Sequence, residues 1–176
     1  MAPIASRHVP RAAGVLLALT MPALVDAQSP PTRGCTAAEH RQFDFWVGEW
    51  RVLNPAGRPA GTSRITAILD GCALLEEWTG AGGNTGKSLN FYDRAARAWT
   101  QTWIDNGGQP LRIKGGLRDG RMVMEAEHSD STGRVTVERI TWTPISRDTV
   151  RQHWERSTDG RKTWVGSFDG RYVRVR

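Results

Sequence analysis

The chain has little of what usually declares a reaction. Its 176 residues hold two cysteines and four histidines, and neither set stands at metal-ligand spacing, so the sequence offers no metal site. There is no Ser-His-Asp signature, no nucleophile elbow and no phosphate-cradling glycine motif. The longest apolar run, residues 12–24, is too short to span a bilayer. Basic residues outnumber acidic ones, 24 to 18, but the arginines are scattered rather than clustered beside stacking aromatics. That pattern argues for a solvated surface and against nucleic acid as a partner.

What is present begins with an export pattern. Arg7 and Arg11 supply a positive start, residues 12–24 an apolar core, and Val25-Asp26-Ala27 a small-residue cleavage site, so residues 1–27 read as a signal peptide. The expected address is the periplasm or full secretion, with no membrane span in the mature protein. Losing Arg7, Arg11 and Asp26 with the signal takes the formal net charge from +6 to +5. The remainder has the length of one domain. Residues 28–35 are polar and proline-rich and read as a flexible leader, leaving 36–176 as a single barrel domain. In an exported chain Cys35 and Cys72 are expected to pair, closing a loop whose chain-entropy stabilisation is about 3–4 kcal/mol.

The organising stretch is Phe43-Asp44-Phe45-Trp46-Val47-Gly48-Glu49-Trp50, a dense aromatic run that crosses a glycine. Thr36 and Glu39 form a capping-box pattern ahead of it, so one short helix is expected from residue 37 to 46, ended by Gly48 and plugging one end of the fold. Beyond it, alternating runs separated by turn residues predict strands near 49–54, 60–70, 73–80, 87–93, 97–105, 110–116, 121–128, 134–143, 149–156 and 163–175. About ten strands joined by tight turns give an all-β, antiparallel up-and-down barrel. The glycine-rich residues 80–86 read as its longest connection, a loop at the open mouth. Residues 157–164 resemble an Asp-box with the glycine one position early, which predicts a stabilised hairpin turn and nothing more.

Alternation divides each strand into two faces, and several faces mix aromatics with amides and hydroxyls. Trp99, Gln101, Trp103 and Asp105 share one, and Ser88, Asn90 and Tyr92 share another on the strand before it. Glu76 with Trp78, Met122 with Met124, and Gln152 with Trp154 extend the same character. Such walls suit a small, largely apolar ligand. The expected ligand-binding set is Trp78, Ser88, Asn90, Tyr92, Gln101, Trp103, Met124, Gln152 and Trp154. The tryptophans would desolvate the ligand while Asn90, Gln101 and Gln152 orient it.

Gly48-Glu49-Trp50, entered from a helix and followed by a meander, resembles the opening of the lipocalin and wider calycin families. That resemblance implies that an arginine of the last strand, Arg171 or Arg174, covers Trp50. A closer likeness is to bacterial exported proteins without an assigned activity. It rests on the run 43–50, on Gly71-Cys72 leading to Glu77-Trp78, and on Trp99-x-Gln101-x-Trp103-x-Asp105. Val150-Arg151-Gln152-x-Trp154-Glu155 and Phe168-Asp169-Gly170-Arg171-Tyr172 complete it. It implies a calycin-like fold and transfers no reaction.

Three other functions stay open. Calycin-type enzymes of lyase, cyclase or isomerase character imply acid–base chemistry, for which Glu76, Tyr92, Asp105, Arg139 and Glu155 are the raw material, without diagnostic spacing. Haem-binding nitrobindin-like barrels imply one axial histidine, with His128 ahead of His153 because it shares a face with Met122 and Met124. Arg51-Val52 stands where that opening has a further glycine. The last alternative is an interaction module that displays its loops.

Overall fold

A computed structural model of the chain describes residues 34–176. The expected signal peptide and residues 28–33 of the expected leader lie outside that range. Ten strands follow one another: β1 (Gly48–Leu53), β2 (Pro59–Ile68), β3 (Ala73–Gly80), β4 (Thr85–Asp93), β5 (Ala98–Asp105), β6 (Leu111–Arg118), β7 (Arg121–Ser129), β8 (Val135–Ser146), β9 (Thr149–Ser157) and β10 (Val165–Arg174). Each pairs antiparallel with its neighbours in sequence, and β10 returns to β1, with Val52 opposite Tyr172. The result is the expected up-and-down barrel, closed so that no sheet edge is left to template aggregation. Local chemistry agrees with it. β5 presents Trp99 and Gln101 to the interior and the β-branched Thr100, Thr102 and Ile104 outward. Asp119 and Gly120, both at positive φ (49° and 74°), make the two-residue turn that matches strand twist between β6 and β7.

The plug is helical but is not one capped helix. It consists of two 3-10 turns, Ala38–Arg41 and Asp44–Trp46, and no side chain caps the first. The buried residues explain the difference: His40, Phe43 and Trp46 recur every third position, the period at which 3-10 side chains eclipse. Phe43 stacks on Trp46 with ring centroids 4.9 Å apart and meets Trp99 and Trp142 edge-on at 5.6 and 5.1 Å. The indole nitrogen of Trp50 donates to the Trp46 carbonyl at 2.9 Å. This aromatic floor continues into Val52, Ile65, Leu74, Ile113, Met122, Met124 and Val150.

Arg174, rather than Arg171, lies over Trp50, its Cζ 4.2 Å from the ring centroid, while its Nη1 donates to the Val47 carbonyl at 2.9 Å. Arg171 is exposed. Gly48 makes the approach possible. Its φ is +142°, and a Cβ there would sit 2.0 Å from Arg174 Nη1. The Cys35–Cys72 disulfide is formed, its Cα atoms 5.1 Å apart, and ties the segment before the plug to the residue preceding β3.

Two connections differ from the sequence reading or sharpen it. The glycine-rich stretch is a tight turn over 81–84, because β4 already starts at Thr85 and Gly80 N–H donates to the Asn84 carbonyl at 2.7 Å. The longest link between strands is 158–164. There Asp159 accepts from Ser157 Oγ (2.8 Å), Thr163 Oγ1 (2.6 Å) and the backbone N–H groups of Lys162 and Thr163 (both 3.0 Å). These bonds hold its carboxyl well below the usual carboxylate range. Arg161 occupies the position where the Asp-box pattern has glycine, at a φ of 71°. Among the described residues no helix is long and apolar enough to cross a membrane.

Candidate functional site

The barrel interior is layered. Above the aromatic floor lies a polar layer built from β2, β3, β4 and β5. Asn90 Nδ2 donates to the Leu74 carbonyl (3.2 Å) and to Ser88 Oγ (2.9 Å), and its Oδ1 accepts from Gln101 Nε2 at 2.8 Å. Ser88 Oγ donates to Glu76 Oε2 at 2.7 Å, and Ser63 Oγ to Glu76 Oε1 at 3.3 Å. Ser63 of β2, Glu76 of β3, Ser88 and Asn90 of β4 and Gln101 of β5 thus meet at one level, and their donors are spent within the layer.

Over this layer, toward the end away from the plug, the barrel is hollow. A cavity of about 340 Å³ is lined by Glu76 and Trp78 of β3, Gln101, Trp103 and Asp105 of β5, and Gln152 and Trp154 of β9. Ser167, Phe168 and Tyr172 of β10 complete the wall with Ala60, Asn84, Leu111 and Ile140. The aromatic rings lie flat because glycines sit beneath them. A Cβ on Gly61 would be 2.7 Å from the Trp78 ring, one on Gly86 2.3 Å from the Trp103 ring, and one on Gly170 2.6 Å from the Phe168 ring. The three inward glycines thus move bulk from the strand to the wall, leaving the centre open. Trp78 and Phe168 meet edge-on at 5.7 Å. Trp154 donates its indole N–H to Glu138, and Tyr172 its hydroxyl to Gln152 Oε1.

Glu76 is the electrostatic feature of the site. It is 3 % exposed, and burial raises its pKa to about 7, an effect that the Ser88 and Ser63 hydroxyls reduce by hydrogen bonding to the carboxylate. Tyr172 is pushed well above its ordinary value by burial and by the nearby Glu76 charge.

Of the residues expected to bind, Trp78, Gln101, Trp103, Gln152 and Trp154 line the cavity. Ser88 and Asn90 lie in the polar layer beneath, with Asn90 already using both ends of its amide. Met124 is wholly buried in the core, and Tyr92 stands near the plug, edge-on to His40 at 5.4 Å. Of the acid–base candidates, only Glu76 and Asp105 reach the cavity. Arg139 and Glu155 pair at 3.1 Å elsewhere, with Arg139 also stacked on Trp164 at 3.7 Å. The residues do not fit an axial haem site. His128 is exposed at the end of β7, His153 pairs across the sheet with Asp169, and no histidine among the described residues lines the cavity.

Sequence reasoning missed Phe168 and Tyr172 as wall residues. Tyr172, Gly170 and Phe168 alternate along one face of β10, which was a usable signal. Ser167 obscured it, since the register shifts between Gly166 and Phe168 and strict alternation fails there. No protein-family model and no curated protein matches the chain.

Proposed function

We propose that this is an exported, calycin-like barrel that binds a small, largely apolar molecule in its interior. The observation that carries the reading is the cavity itself: about 340 Å³ walled by Trp78, Trp103, Trp154 and Phe168, with a few amides and carboxyls among them. A barrel that served only as a rigid display for its loops would gain stability from filling that space, since interiors pack densely and voids are costly. Aromatic walls with a few oriented polar groups are what ligand sites share. The Cys35–Cys72 disulfide supports an oxidising destination, in keeping with the signal-like residues 1–27.

Native mass spectrometry of unreduced protein, purified from an oxidising export compartment and then exposed to 2-phenylethanol, tests the reading. A retained or acquired one-to-one organic adduct is expected. A bare mass throughout, under conditions that preserve the fold, contradicts it.

Glu76 favours one second reading. A carboxyl with a pKa of about 7 beside a bound ligand is suited to general acid–base catalysis. Tyr172, the wall group that senses the Glu76 charge, is itself shifted away from neutrality and supplies no partner for that role.

A further inference from the structure

The cavity wall runs against the charge of the chain. The formal net charge is +6, yet among the described residues the wall holds Glu76 and Asp105 and no lysine, arginine or histidine. Glu76 accepts only from two neutral hydroxyls, so its carboxylate meets no cation among the described residues and keeps lone pairs free. Gln101 spends its Nε2 on Ser88 (3.3 Å) and Asn90 (2.8 Å), which leaves its carbonyl oxygen as an acceptor. Around these acceptors stand the indoles of Trp78, Trp103 and Trp154, ring systems whose quadrupoles attract cations. The Glu138 carboxylate behind Trp154 adds negative charge, though Arg156 approaches it at 3.5 Å.

A buried carboxylate without a counter-ion is costly, and a cation brought by the ligand removes that cost. We infer that the cavity takes a small organic cation, an arylalkyl ammonium, with its N–H groups on Glu76 and the Gln101 carbonyl and its apolar body among the tryptophans. This rests on the cavity being a binding site and narrows the class of ligand. An ammonium has three donors and no acceptor, the complement of a wall whose free polar atoms are mainly acceptors.

The inference carries a pH signature. The titratable groups on the wall around Glu76 are Tyr172 on β10 and Asp105 on β5, with Glu138 of β8 behind Trp154. The inward residues of β1 and β2 do not titrate. Burial and the Glu76 charge push Tyr172 further above neutrality, so Glu76 governs the response. Affinity for the ammonium is expected to fall about tenfold per pH unit below 7 and to level off above it.

The test compares three probes of one shape on the intact protein at pH 8: 2-phenylethylammonium, 2-phenylethanol and 3-phenylpropanoate, read by calorimetry. The cation is expected to bind at least tenfold tighter than the alcohol, and the anion weakest. In Glu76→Gln the affinities of cation and alcohol converge, while Asp105→Asn, at the rim, reduces the preference less. If the alcohol binds as tightly as the cation in the unaltered protein, or Glu76→Gln keeps the preference, the cavity remains a binding site and the cation inference is overturned. If none of the three binds, both the inference and the binding reading fall.

Discussion

The guanidinium of Arg174 rests on the Trp50 indole, 4.2 Å from its centroid, in a space that exists only because residue 48 has no side chain. Last strand and first strand are thereby clamped at the plugged end, where Arg174 also holds the Val47 carbonyl. Replacing Gly48 by Ala forces the guanidinium out and places alanine at a φ of +142°. A loss of about 2–3 kcal/mol in urea unfolding is expected, from the stacked cation and the backbone strain together. Arg174→Met should cost less, about 1–2 kcal/mol. Equal stability of Gly48→Ala and the unaltered protein would show that the clamp contributes nothing.

Removing the disulfide has a separate effect. Cys35 and Cys72 are 37 residues apart, and the double replacement by serine is expected to lower the unfolding free energy by about 3–4 kcal/mol. The strand signal in circular dichroism should persist at low temperature, because the ladder that closes the barrel, including β1 and β2 inside the bridged loop, is held by its own strand pairing. A double variant that shows no strand signal at all contradicts this division.

Glu76 makes stability depend on pH. An acid whose pKa is raised on folding, here from about 4.5 to about 7, holds its proton more tightly folded than unfolded. As pH rises from 4.5 to 7 the unfolded chain releases that proton first, so stability falls across this window and stays lower above it. Glu76→Gln removes the penalty. It is expected to be more stable than the unaltered protein by about 3 kcal/mol at pH 8 and no different near pH 4. A difference between the two that is constant from pH 4 to pH 8 rules out the raised acid.

The barrel was legible because its signals are local: alternation over six to twelve residues and turn residues between the runs. The inward faces of β3, β4, β5, β7 and β9 could be read the same way. The plug was harder, because a capping box and an apolar face suggest an α-helix, whereas the spacing of His40, Phe43 and Trp46 answers to the aromatic floor that receives it. The layering was not legible at all. Alternation says that Asn90, Gln101 and Met124 point inward, but their height along the barrel depends on strand stagger, which only the closed sheet fixes. That stagger places Met124 in the core, Asn90 in the polar layer and Gln101 on the wall.

Trp46 and Trp103 separate floor from wall. Trp46 is wholly buried, and its truncation to alanine is expected to cost about 3–5 kcal/mol. Trp103 is only partly buried and faces the cavity, so its truncation should be milder for the fold and severe for the ligand. The most direct measurement is therefore a pair of readings on Trp103→Ala: its unfolding midpoint in urea and its affinity for the probe that the unaltered protein binds best. A midpoint close to that of the unaltered protein, with affinity reduced at least tenfold, is the predicted result. An unfolded or grossly destabilised Trp103→Ala, alongside an unaltered protein that binds none of the probes, would mean that Trp103 is core and that the barrel is not a binding site.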